Sequence, residues 1–135
     1  MAIELMKVGI ISCSGEELPG GTVSRIACRK VLDDLRATET VTICLPLFIA
    51  GDQGQREFAS NYPTITVDGC DKYCAKKSTE LLSGTPKKYI LVPEILKRHG
   101  LEAPIHRRDL NEKEKAAADV VAEEIARAVD EVLNE

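Results

Sequence analysis

The reactive side chains of this 135-residue chain are five cysteines, at positions 13, 28, 44, 70 and 74. A thiol can bind a metal ion, attack an electrophile or pair in a disulfide, and for the first two it must lose its proton. The chain starts without the cationic stretch and long apolar run of a secretory signal across Met1 to Lys7, which predicts a cytoplasmic protein whose thiols stay reduced. With an odd cysteine count, metal ligation or thiol chemistry is expected ahead of a disulfide framework. Cys70 and Cys74 are four residues apart, a spacing that on a helix brings two side chains onto one face. It differs from the C-x-x-C knuckle of zinc fingers, so any metal site must draw its other ligands from distant stretches of chain.

Those stretches depend on the elements that carry them. Short runs rich in Val, Ile and Tyr, apolar on both faces, predict strands at Lys7 to Ser12, Thr40 to Leu45, Thr64 to Asp68 and Lys88 to Val92, as in a parallel sheet covered by helices on both sides. Val23, Ala27, Cys28, Val31, Leu32 and Leu35 share one face of a helix capped by Thr22 after the Pro19-Gly20-Gly21 turn. Further helices are expected over Asp52 to Ser60, Cys70 to Leu82 and Pro93 to about Gly100. The last helix runs from Asn111 to Leu133, with Val120, Val121, Ile125, Val129 and Leu133 along its apolar stripe. The alternation of strand and helix predicts one α/β domain over residues 1–135, a Rossmann-like three-layer sandwich on a mostly parallel four-stranded sheet. The path of residues 101–110 is left open by the pattern.

On this map Cys13 follows the first strand, Cys44 ends the second, Cys70 comes directly after the third, and Cys74 lies one helical turn further on. The C-terminal ends of parallel strands share one edge, where open α/β folds bind ligands. Cys13, Cys44, Cys70 and Cys74 therefore supply the four sulfurs of a tetrahedral zinc site. Cys28, in mid-helix on the apolar face, is expected to be a packing residue. Lys72, Lys76 and Lys77, with the helix N-terminus, are expected to lower the thiol pKa values and offset the thiolate charge. Gly15, Gly20 and Gly21 loosen the loop after Cys13, and Asp68-Gly69 makes a sharp turn before Cys70. A Walker loop is excluded, because no Lys-Ser/Thr follows the glycines, and so is a cysteine-phosphatase loop, because Pro19 stands where its arginine would.

The run Val67-Asp68-Gly69-Cys70-Asp71-Lys72-Tyr73-Cys74-Ala75-Lys76-Lys77, with Cys13-Ser14-Gly15 early and Cys44 between, resembles the DGC family, named for its Asp-Gly-Cys motif. The resemblance covers roughly residues 8–84. It implies that the family's four zinc-binding cysteines are here Cys13, Cys44, Cys70 and Cys74, and it implies no particular reaction. The chain departs from the family's commoner form in the extra Cys28 and in Leu45 to Gln55, which is not a short glycine-rich stretch.

The formal charge of −4 argues against a broad basic face for nucleic acid, and no apolar run is long enough to cross a bilayer. Residues 109–135 hold nine acids and three bases, so the last helix has an acidic outer face and is a candidate surface for a protein partner. Two other functions are compatible with the thiols. One is a thiol-based enzyme for redox, sulfur or methyl chemistry, with Asp68, Asp71 or Ser14 as acid, base or donor. The other is an iron-sulfur protein on the same four cysteines. His99 and His106 lie past the fourth strand and are expected to be surface residues.

Overall fold

A computed structural model describes residues 6–135; residues 1–5, at the start of the expected domain and of the Met1 to Lys7 stretch, lie outside the described residues. Four strands, β1 (Val8–Ser12), β2 (Thr40–Thr42), β3 (Thr64–Asp68) and β4 (Lys88–Leu91), form one sheet in the order β2-β1-β3-β4. Every neighbouring pair is parallel, with Ile10 level with Thr42 and Ile65, and Val67 level with Ile90. The fold is α/β, as expected.

Side chains alternate across the sheet, and each set meets a different layer of helices. Val8, Ile10, Ile65 and Val67 point to one face and pack with α1 (Pro19–Lys30), which runs on through a π-helical turn (Val31–Leu35). The short α6 (Val92–Arg98) and the long α7 (Glu112–Leu133) complete this layer, contributing Ile95, Leu96, Val121, Ile125 and Val129. On the other face Ile11 packs with Phe58 and Ala75. That layer consists of α2 (Leu45–Ala50), α3 (Gln53–Arg56), α4 (Phe58–Asn61) and α5 (Cys74–Leu82).

Several boundaries differ from those expected, each for a local reason. β2 stops at Thr42, short of Leu45, because the Leu45-Pro46 pair opens α2 with proline in its first turn, where the missing N–H is harmless. The expected helix over Asp52 to Ser60 is two single turns: Asp52 caps the first by accepting from the Gln55 amide, and the chain breaks at Glu57. α1 begins at Pro19, ahead of the expected Thr22 cap, and Thr22 donates its hydroxyl proton to the Arg107 carbonyl. That bond, together with α7, also sets the path of residues 101–110.

Glu114 is the anchor of this strap. Its carboxylate accepts from the backbone amides of Ile105 (2.6 Å), His106 (2.9 Å) and Asn111 (2.9 Å), while Asn111 caps α7 by accepting from the Glu114 amide at 2.8 Å. This reciprocal capping box starts α7 at the position the sequence predicts. Burial opposes ionisation of Glu114, yet the amides of His106, Asn111 and Ile105 and the His106 ring outweigh it and hold the carboxyl at about 2, down from 4.5. Its contribution to stability is therefore complete above about pH 4.5 and lost as the pH falls through about 2. In acid denaturation followed by circular dichroism, Glu114→Gln should be less stable than the unaltered chain at pH 7, with the gap closing below pH 4.5. A gap independent of pH would show that the charge has no part in holding the strap.

A second test concerns the sheet itself. The Thr66 hydroxyl is buried in β3 and has no hydrogen-bond partner among the described residues. Thr66→Val, nearly the same shape, should raise unfolding free energy by about 1 kcal/mol in urea titration, the low end of the penalty for an unpaired buried group. A loss of similar size would mean that the hydroxyl is satisfied.

Candidate metal centre

The parallel sheet places the exits of β2, β1 and β3 side by side, and three cysteines leave from them. Cys13 is central. It is the first residue after β1, its amide donates to the Val67 carbonyl of β3 at 2.9 Å, and its Sγ accepts from the Gly69 amide at 3.3 Å. The Ser24 hydroxyl of α1 lies 3.4 Å from the same sulfur, and Ser24 also contacts the Ser12 hydroxyl at 3.0 Å. Sequence reasoning missed Ser12 and Ser24, since a serine in mid-helix carries no signal until the sheet is placed beneath it.

The loop after β3 lies directly on the start of α1. A Cβ at Gly20 would sit 2.0 Å from the Gly69 carbonyl oxygen, and one at Gly69 would be 2.2 Å from the Gly20 carbonyl carbon. Gly21 meets the Gly15 carbonyl oxygen in the same way, at 2.1 Å. These glycines, read from sequence as freedom in a loop, are required by contact of backbone on backbone. The positions of Cys13 and Cys70 relative to α1 depend on that contact.

Cys70 and Cys74 do not share a helical face. α5 begins at Cys74, and Cys70 belongs to the turn before it, because Tyr73 takes a left-handed φ of 56° that interrupts any helix from Cys70. Such a conformation is worth about 1 to 2 kcal/mol against an L side chain. It is offset by Asp68, whose buried carboxylate accepts from the Ala75 amide at 2.7 Å and the Lys76 amide at 3.2 Å. The cap of α5 thus comes from a residue six positions before the helix. Desolvation raises the Asp68 pKa, against the pull of those two amides and of the Lys76 charge. Ser14, next to Cys13, is the other described non-glycine residue with positive φ, at 52°, and its amide and hydroxyl both donate to the Ser12 hydroxyl at 3.1 Å.

Cys44 stands on the opposite side of Cys13, at the N-terminus of α2, with its amide donating to Gln55 Oε1 at 2.9 Å. Cys13 and Cys44 line one cavity of about 450 Å³ together with Ser12, Ser14 and Thr42. On the other flank, Cys13, Cys70 and Asp68 are near enough to Cys74 for their charges to act on it. The described residues nevertheless contain no group of three His, Cys, Asp or Glu side chains that could hold a metal ion as they stand.

The expected electrostatics need correction at Cys74. Desolvation first, then the charge of Asp68 and the thiols of Cys13 and Cys70, raise its pKa; Lys77 alone pulls it down. Lys76 is turned away to aromatic rings, with its Nζ 4.1 Å from the Tyr89 centroid and 5.4 Å from that of Tyr73, a favourable cation–π arrangement. Cys28 is 2% exposed in the main core, as expected, and burial drives its thiol pKa upward. Asp68 acts as a helix cap and Ser14 as a turn residue. His99 and His106 face Glu124 and Glu114, at 3.0 and 2.7 Å.

With this geometry in place, comparison with protein families gives a match to the DGC domain over residues 9–132. The chain belongs to the DGC family. The match runs well past the resemblance at residues 8–84 and takes in nearly all of α7, so the strap and the acidic helix are parts of the DGC domain. No significant match was found among curated proteins or among solved structures.

In metal-free, reduced protein, iodoacetamide should modify the exposed Cys44 first, ahead of Cys74 with its raised pKa, and Cys28 last, and peptide mass spectrometry gives the order. Early labelling of Cys28 would contradict its place in the core. Gly69→Ala should destabilise the DGC domain by about 1 to 3 kcal/mol, the range for forced overpacking, with urea unfolding as the measure. An unchanged midpoint would show that the loop can leave α1 freely.

Proposed function

We propose that this DGC protein binds one zinc ion through Cys13, Cys44, Cys70 and Cys74. The reading is carried by one observation: these thiols come from the exits of three adjacent parallel strands and from the first turn of the helix that Asp68 anchors beside them. The donor set fits zinc in kind and number, since four thiolates make a closed structural site. Cys44 and Cys74 are exposed and Cys13 and Cys70 half-buried, so all four are accessible at this rim, and closing the set around an ion would require them to move closer together. Gly69, through its amide on Cys13, would bond to a ligand sulfur in the manner of an outer-shell group.

Bound zinc would supply a cross-link between the loops after β1, β2 and β3. Cys13 would be the hub, Cys70 and Cys74 the arm set by Asp68, and Cys44 the arm set by α2. On this reading the function is that of a zinc-ordered domain, in a cytoplasmic setting that keeps its thiols reduced. No described helix is long and apolar enough to cross a membrane.

Mass spectrometry of protein purified without added metal should find about one zinc per chain, and any one of the four Cys→Ser substitutions should remove most of it, as expected when one ligand of a closed tetrahedral site is lost. Cys28→Ser should leave it in place. Less than about 0.2 zinc per chain, with stability indifferent to strong chelator, would contradict the proposal. Visible absorbance in anaerobically isolated protein would transfer the same four ligands to an iron-sulfur cluster.

A further inference from the structure

Next to the thiols, on the side away from Cys44, is a cavity of about 390 Å³ that shares only Cys70 with the zinc reading. It opens at the C-terminal edge of β3 and β4, where open α/β sheets take their ligands. Its walls come from four stretches of chain: Leu18 at the start of α1, Cys70 after β3, Pro93, Leu96 and Lys97 of α6, and Leu101 in the strap. The strap side of this wall is held in place by Glu114 and by the Thr22 hydroxyl on Arg107.

The lining residues are apolar except for Cys70 and Lys97. Leu18 is 51% exposed and Leu101 37%, so the mouth presents hydrocarbon to water. Lys97 is the one charged residue on the wall; it stands between this cavity and a neighbouring groove that carries Glu94, Glu124 and Glu131, and it forms no ion pair with any described residue. No carboxylate or hydroxyl side chain faces it across the cavity. A cation would therefore find no counter-charge here and a sugar few partners, while a dianion would enter an apolar space with only one positive charge to offset two. A monoanion with a hydrocarbon body satisfies both features of the lining.

We propose that this cavity binds a small apolar carboxylate, a medium-chain fatty acid in chemistry, with its head group at Lys97 and its chain among Leu18, Pro93, Leu96 and Leu101. The ligand would lie beside Cys70, so the site would couple a hydrophobic acid to the rim that carries the thiols. It does not rest on zinc binding, because none of its recognition contacts requires a metal.

Octanoate is the probe, titrated into the full chain and followed by amide proton–nitrogen correlation spectra, with 1-octanol and octylamine as comparators. Saturable shifts are expected at Gly69, Cys70, Lys97, Leu101 and Ala103, with octylamine the weakest of the three. Lys97→Ala should weaken octanoate roughly tenfold, as for loss of a charged hydrogen bond, and 1-octanol by less than about twofold. Leu101→Asp should weaken both. Both replaced residues are exposed, so the variants should fold, and the dispersion of their spectra reports this directly. Shifts that fail to saturate or that lie elsewhere would overturn the proposal, as would a Lys97→Ala variant that binds octanoate as tightly as the unaltered chain. Zinc content measured on the same samples reports on the metal reading alone, since neither substitution touches a thiol.

Discussion

Two backbones touch where β3 hands the chain to α5. The Gly69 peptide lies on Gly20 at the start of α1, so closely that neither position has room for a methyl group. That contact ties the exit of β3 to the helix that follows β1. The Gly69 amide can then reach the Cys13 sulfur, and Cys70, the next residue, is held at the same rim. Asp68, one residue earlier, reaches forward to the amides of Ala75 and Lys76 and so decides where Cys74 stands. The Asp-Gly-Cys run is thus a mechanical unit. The acid starts a helix, the glycine allows the approach, and the cysteine is delivered to the edge.

Charge is used mainly within the fold. The acidic last helix turns Asp119 to Lys30, Asp130 to Arg36 and Glu131 to Lys88, so part of its outer face is already matched by bases of α1, of the residue that ends the π-helical turn, and of β4. Its inner face, with Ala118, Val121, Ala122, Ile125 and Val129 buried, supplies much of the larger core. Near the thiols both signs of charge are present. Asp68 adds negative charge beside Cys74, and Lys76 is engaged with Tyr73 and Tyr89. Free thiolates would repel one another at such a rim.

The strands were legible because a parallel sheet covered on both sides leaves continuous apolar runs, and β3 matches its expected limits at both ends. α7 was legible because its apolar stripe is local, and the Asn111–Glu114 capping box that starts it lies in the same stretch. The thiols' common edge followed from topology alone. What could not be read was set by partners distant in sequence or by departures from regular helix. The Asp68 cap lies beyond the ordinary cap position, so α5 starts four residues later than its sequence pattern suggests. Leu45 to Ala50 is too short and too uniformly apolar to show a helical period, so its first residue reads as a continuation of β2. The strap depends on Glu114, eight and nine residues along, and on Thr22 meeting its backbone, and the second is a tertiary event that no window along the chain contains.

Zinc K-edge X-ray absorption on the purified, zinc-loaded chain tests most directly whether the four thiols meet on one ion. Four sulfur neighbours at about 2.3 Å, with none from nitrogen or oxygen, should be found in the unaltered chain, and three in each single serine variant of Cys13, Cys44, Cys70 or Cys74 that retains metal. A first shell with two or more nitrogen or oxygen atoms in the unaltered chain would mean that the rim does not gather its sulfurs, and the account of this site would fail.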